Sequence, residues 1–142
     1  VAGLSDELEL FKQDVHDAGG KTMMLSVGGA FHSPLMNEAS RTFEKYLRTV
    51  HINKPELPAY SNVTAKPYDG DVKSLLANQI NHPVKWDLII TNMVSSGFDV
   101  FIETGAGNVL QKLIKRIAPQ VVAYSVDNME GAMTVIKELR SA

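Results

Sequence analysis

Apolar positions along the chain recur with helical and strand-like periods in turn. Leu8, Phe11 and Val15 fall at helical spacing behind Ser5-Asp6-Glu7, where Ser5 reads as an N-cap and the two acids suit a first turn. Gly19-Gly20 ends that helix, and the largely apolar run Thr22-Met23-Met24-Leu25-Ser26-Val27 predicts a short strand. Ser33 and Pro34 then supply a cap and a first-turn residue for a helix whose Leu35, Ala39, Phe43, Tyr46, Leu47 and Val50 share one face. Between His51 and Asp71, Pro55, Pro58 and Pro67 interrupt any helix and leave only Ala59-Tyr60-Ser61-Asn62-Val63 as a short strand. Beyond them the pattern predicts helices over 72–80 and 86–95, parted by Pro83 and closed by Gly97. A strand over 98–103, a glycine turn, a helix over 109–117, a strand over 121–126 and a helix over 129–139 complete the series. Because strand and helix alternate, the fold class is read as α/β with parallel strands.

Composition narrows the function classes. At 142 residues, 44% hydrophobic and 21% charged, the chain is about one domain and long enough to bury a core. A net charge of −2 gives no reason to expect nucleic acid as a partner. The absence of cysteine excludes disulfides, thiolate catalysis and zinc-thiolate sites. His16, His51 and His82 have no partners at metal-ligand spacing and read as surface residues, so no metal is expected. No basic leader precedes an apolar stretch and no apolar run approaches ~18 residues, so neither secretion nor a membrane span is expected and the chain reads as cytoplasmic. Its first residue, Val1, reads as the start of a processed chain or an excised fragment.

The densest chemistry lies at Leu25 to Met36, where an apolar run passes Gly28-Gly29 and reaches Phe31 and His32 just before Ser33-Pro34. His32 thus falls on a strand-to-helix connection, held by elements on either side, and an imidazole is the side chain type suited to taking and returning protons there. A catalytic base and a plain loop histidine both fit these residues. Gly105-Ala106-Gly107 stands between a strand and a helix, but it lacks the third glycine of a dinucleotide fingerprint and the lysine of a P-loop, so a tight structural turn is the better reading. Lys112, Lys115 and Arg116 form a basic helix end that suits the helix dipole and on which an acidic partner could also dock.

Gly29-Ala30-Phe31-His32-Ser33-Pro34-Leu35-Met36 resembles the histidine motif of the malonyl-CoA:acyl carrier protein transacylases and the related polyketide synthase acyltransferase domains. Further matches follow in the family's order: Asn62-Val63-Thr64-Ala65, then Gln79 with Pro83-Val84-Lys85-Trp86, then Ile102-Glu103-Thr104-Gly105-Ala106-Gly107-Asn108-Val109-Leu110. The resemblance covers essentially the whole chain. It implies His32 as catalytic base and Gln79 as the residue whose backbone carbonyl orients the imidazole, the task an aspartate performs in a Ser-His-Asp triad. It implies Phe31 as a substrate-binding residue that favours malonyl over methylmalonyl, malonyl-CoA and acyl carrier protein as partners, and no cofactor. Where the family usually has Pro and Lys, this chain has Ala106 and Asn108, so roles tied to those side chains do not carry over.

The family's nucleophile is a serine in a Gly-His-Ser-x-Gly elbow, and no Gly-x-Ser-x-Gly pattern occurs here. The resemblance therefore implies the C-terminal part of an α/β-hydrolase-like acyltransferase, with residues 1–27 belonging to a partial ferredoxin-like small subdomain and 28–142 to the large subdomain. The serine and the carboxylate-binding arginine would come from the missing N-terminal half, and the fragment alone is expected to be inactive. An acyl hydrolase of the same fold, or a catalytically silent piece that binds a carrier protein, are the alternatives.

Overall fold

Helix α1 (Ser5–Asp17) starts one residue earlier than its capping pattern places it. Leu4 takes the N-cap position with an extended backbone and no side-chain cap, because its carbonyl already accepts the Leu8 N–H at 2.9 Å and closes the first turn. At the other end Gly19 turns left-handed at φ 78°, and the N–H groups of Gly19 and Gly20 donate back to His16 and Val15 at 2.9 and 2.8 Å. That is a Schellman closure. A Cβ on Gly20 would lie 2.6 Å from Val15 Cγ1, so the expected glycine stop is fixed by sterics as well as by backbone freedom.

The computed structural model describes residues 1–141, and contacts divide the chain into two compact units, Val1–Lys85 and Trp86–Ala142. In the first unit the expected strand over 22–27 does not form. Met23 is 82% exposed and Val27 61% exposed. A strand is stabilised by the ladder it shares with a neighbour, and apolar character alone does not supply one. After a single 3-10 turn over Pro34–Met36, helix α2 (Asn37–Leu47) packs against the short helix α3 (Val72–Asn78). Ser33 does cap as expected, its Oγ accepting the Leu35 N–H at 3.3 Å. The apolar stripe expected on α2 is only partly inward: Leu47 is buried, whereas Phe43 and Tyr46 are exposed and the buried face is shared with Ser40. Ser40 Oγ donates to the Ala77 carbonyl at 2.9 Å, and Asn81 Nδ2 to Asn37 Oδ1 at 2.7 Å, so polar ties as well as apolar contact join α2 to the α3 end.

Residues 59–68 form a tight hairpin-like turn in place of the expected strand, with one antiparallel bridge between Tyr60 and Pro67. Ser61 N–H donates to Lys66 at 2.9 Å and Tyr68 N–H to Ala59 at 2.7 Å. Pro67 has no N–H to extend the ladder, which keeps the pairing short. Ala65 closes the turn at φ 57°, a left-handed conformation that costs a non-glycine residue roughly 1–2 kcal/mol.

The second unit follows the sequence pattern closely. It comprises α4 (Trp86–Ser95), β1 (Val100–Thr104), α5 (Val109–Ile117), β2 (Val122–Val126) and α6 (Met129–Ser141). The strands pair in parallel, Val100 with Val122 through Thr104 with Val126, as a strand-helix-strand crossover requires. Phe101 and Ala123 pair across the sheet and point into a core with Ile90, Ile114, Ala118 and Val121. Gly105 at φ 127° and Gly107 at φ 92° make the turn into α5, so this segment acts as the structural turn read from the sequence. The chain is thus α/β, as expected.

Glu103, at the end of β1, caps α5 from outside the helix. Its Oε1 accepts the Leu110 N–H at 3.1 Å and its Oε2 the Gln111 N–H at 2.8 Å, while Gln111 Nε2 donates to the Ala123 carbonyl at 2.7 Å. The neighbouring Asn108 supplies no side-chain cap. Glu103→Ala is expected to cost about 1–2 kcal/mol of stability, the range for losing a helix cap made by a charged acceptor. Denaturant titration followed by circular dichroism checks this, and an unchanged midpoint would contradict it.

Candidate active site

His32 sits between Phe31 and the turn that leads into α2, and its backbone is left-handed at φ 61°. Histidine enters this region more readily than most residues but still at a cost. The surrounding bonds hold it there. His32 N–H donates to the Ile80 carbonyl at 3.0 Å, and His32 Nδ1 lies 2.8 Å from the carbonyl oxygen of Gln79. Two successive carbonyls beyond the last turn of α3 therefore grip one residue by its backbone and by its ring.

A carbonyl can only accept, so Nδ1 carries the proton in this bond. The neutral ring is then the Nδ1–H tautomer, with the lone pair on Nε2. His32 is exposed, and among the described residues nothing bonds to Nε2. The ring can take a proton there from a group that approaches. Ser33, the adjacent hydroxyl, is buried and committed elsewhere, donating to the Ala30 carbonyl at 2.7 Å.

Gln79 is the C-cap residue of α3, and its side chain is held at both ends. Asn62 Nδ2 donates to Gln79 Oε1 at 2.8 Å, and Gln79 Nε2 donates to Tyr68 Oη at 2.6 Å. The Asn62 carbonyl also accepts the Lys85 N–H at 3.0 Å. Asn62 and Tyr68 both lie in the 59–68 turn, so that turn and the end of α3 are joined through the glutamine amide.

Of the residues singled out in the sequence, His32 and Gln79 meet directly. Phe31 is half-exposed, with its ring over Gly29, 3.5 Å from where a Cβ on that glycine would be. Tyr68 carried no signal of its own, and Asn62 stood in a motif without a role. The other histidines are exposed and locally bonded: His51 Nε2 to Asn53 Oδ1, His82 Nδ1 near the Asn78 carbonyl, and His16 beside Asp17. Among the described residues no cluster of His, Asp and Glu could hold a metal ion, and no helix is long and apolar enough to cross a membrane.

No protein-family model matches the chain. Individual relatives do. A polyketide biosynthesis malonyl CoA-acyl carrier protein transacylase of Bacillus subtilis, PksC, is 42% identical over 120 residues, which is 82% of this chain and 42% of that protein. The crystal structure of malonyl CoA-acyl carrier protein transacylase from Clostridium perfringens superposes with a TM-score of 0.89 at 30% identity, covering 94% of this chain and 43% of that one. The chain belongs to the malonyl-CoA:acyl carrier protein transacylase family. A further structure similar to it, with a TM-score of 0.90 and 25% identity over 96% of this chain and 45% of that one, shows a type II polyketide synthase acyl-carrier protein in complex with its malonyl-transacylase. The chain therefore spans under half the length of these transacylases.

Proposed function

We propose that this chain is the base-bearing part of a malonyl-CoA:acyl carrier protein transacylase of the serine-histidine type. The observation that carries the reading is the 2.8 Å contact between His32 Nδ1 and the Gln79 carbonyl, which leaves Nε2 of an exposed ring as the proton acceptor. The serine would come from the part of the family absent from this chain, since no Gly-x-Ser-x-Gly elbow occurs in it. In this reading the whole enzyme is α/β-hydrolase-like with a ferredoxin-like small subdomain, residues 1–27 belonging to the latter and 28–142 to the former, and it works in the cytoplasm.

The chemistry then runs in two halves. As the serine oxygen attacks the malonyl thioester carbonyl, His32 Nε2 accepts the hydroxyl proton, and the tetrahedral adduct collapses to acyl-serine while the departing CoA sulfur takes that proton. The phosphopantetheine thiol of an acyl carrier protein next attacks the acyl-serine. His32 accepts the thiol proton and returns it to the leaving serine oxygen. The Gln79 carbonyl keeps the same ring nitrogen protonated throughout, which is what lets Nε2 alternate between base and acid.

A chimera tests this reading: the 142-residue chain replaces the corresponding segment of the Bacillus subtilis relative. The chain alone is expected to take up no malonyl group from malonyl-CoA, whereas the chimera forms an acyl-serine visible by intact-mass spectrometry and passes it to a carrier protein. Stoichiometric labelling of the isolated chain, or a chimera that hydrolyses malonyl-CoA without transfer, would contradict it.

Phe31 makes a second expectation, on acyl choice. A phenyl ring beside the acyl pocket occupies the space an α-methyl branch needs, so the chimera should prefer malonyl-CoA to methylmalonyl-CoA. One methyl group in an apolar pocket is worth ~1–3 kcal/mol, so Phe31→Ser should narrow the preference by roughly 10–200-fold. Competition between the two thioesters gives the ratio of kcat/KM values, and an unchanged ratio would leave Phe31 with a packing role.

A further inference from the structure

The Gln79 carbonyl can orient His32 only if it is itself held, and α3 is too short to hold its own end. The helix runs from Val72 to Asn78, and Gln79 lies beyond its last helical residue, at the C-cap. C-terminal residues of a helix fray unless something outside them fixes their place. Ser40 on the Ala77 carbonyl and Asn81 on Asn37 tie the flanking residues to α2, and at Gln79 itself two outside contacts hold the side chain: Asn62 donates to its oxygen at 2.8 Å and Tyr68 accepts from its nitrogen at 2.6 Å. Both partners are partly buried and anchored by their own backbones, Tyr68 N–H to Ala59 at 2.7 Å and the Asn62 carbonyl to Lys85 N–H at 3.0 Å.

We infer that Asn62 and Tyr68 are positioning residues that clamp the Gln79 amide, so that its backbone carbonyl stays on His32 Nδ1 and fixes the Nδ1–H tautomer. The inference rests on the reading of His32 as the base. It also changes the weight of Gln79. A carbonyl is present whatever the side chain, so a purely backbone role would make every substitution at 79 mild. With the clamp, the identity of that side chain sets where the carbonyl points.

The four histidines of the chain allow a test that needs no turnover. Nitrogen NMR of the full 142-residue chain, labelled at histidine and assigned with a His32→Gln variant, reads the tautomer of each neutral ring. In the unsubstituted chain His32 is expected to be Nδ1–H. Tyr68→Phe removes only the hydroxyl, and Asn62→Ala removes the opposite donor. Each should shift the His32 tautomer ratio towards Nε2–H by roughly fivefold, the effect of about one net hydrogen bond.

His82 serves as the internal control, because its Nδ1 lies 2.9 Å from the carbonyl of Asn78, the residue just before Gln79, and 2.7 Å from Oδ1 of Asn81, two positions after it. It should keep its signature in both variants. Gln79→Glu, whose carboxylate can accept from Asn62 and from the Tyr68 hydroxyl alike, should keep the His32 tautomer, whereas Gln79→Ala should lose it. An unshifted His32 ring in Tyr68→Phe and Asn62→Ala would overturn the inference. So would a His82 shift that accompanies the His32 shift, since the pair would then only be holding α3 together. Activity of the His32→Ala chimera separately tests the base.

Discussion

His32→Ala in the chimera is expected to lower acyl transfer by roughly 10²–10⁴-fold, the usual contribution of a positioned general base. The ring donates through Nδ1 to a carbonyl that cannot donate back, and Nε2 is the nitrogen left to accept a proton. Folding should suffer little, because the His32 side chain is exposed and the backbone bond from His32 N–H to Ile80 survives the substitution. Alanine does give up one favourable feature: histidine tolerates φ 61° better than alanine does, at a difference within the roughly 1–2 kcal/mol cost of a left-handed residue. His32→Asn separates the two effects, since asparagine also accepts the left-handed backbone but offers no imidazole. Both variants should lose transfer alike. Near-full transfer in either, with the acyl-serine still forming at the unsubstituted rate, would remove His32 from the proton-transfer role.

The second unit was readable from the sequence because its signals are local and its partners lie close in the chain. Gly97, Gly105 and Gly107 punctuate it, its apolar residues recur with the right periods, and β1 finds its parallel partner one crossover later. The run 22–27 failed as a strand for the converse reason. Periodicity reports which residues want to leave water, and pairing depends on a neighbour that the run cannot specify. The α2 stripe shows the same limit, since Phe43 and Tyr46 have helical spacing yet stay exposed.

The site divides along the same line. His32 could be placed on its connection by the Ser33-Pro34 helix start, and its partner Gln79 entered only through the family resemblance, since a backbone carbonyl 47 positions away leaves no mark on a side-chain pattern. The clamp was invisible for a related reason. Asn62 and Tyr68 reach Gln79 across 17 and 11 positions, by hydrogen bonds that exist only once the 59–68 turn and α3 have come together.

Ile90→Ala is expected to destabilise the second unit by about 2–5 kcal/mol, the range for truncating a buried aliphatic side chain in a packed core. Ile90 is 1% exposed and sits with Phe101, Ile114, Ala118, Val121 and Ala123, so the space it leaves is bounded by the sheet and by α5. Collapse into that space is hindered where the sheet and its crossover helix fix the walls, which pushes the cost towards the upper part of the range. Against a typical domain stability of 5–15 kcal/mol, the loss shifts the folding equilibrium by roughly 30-fold to a few thousand-fold. Leu88, on the same helix and 47% exposed, provides the comparison, and Leu88→Ala should cost about 1 kcal/mol or less. The reporter is built in: Trp86 is the single tryptophan and packs against this cluster, so its fluorescence follows unfolding of this unit in denaturant. The expected result is a clear drop in the midpoint for Ile90→Ala and a small one for Leu88→Ala. Equal midpoints would mean that Ile90 does not occupy the centre of this core.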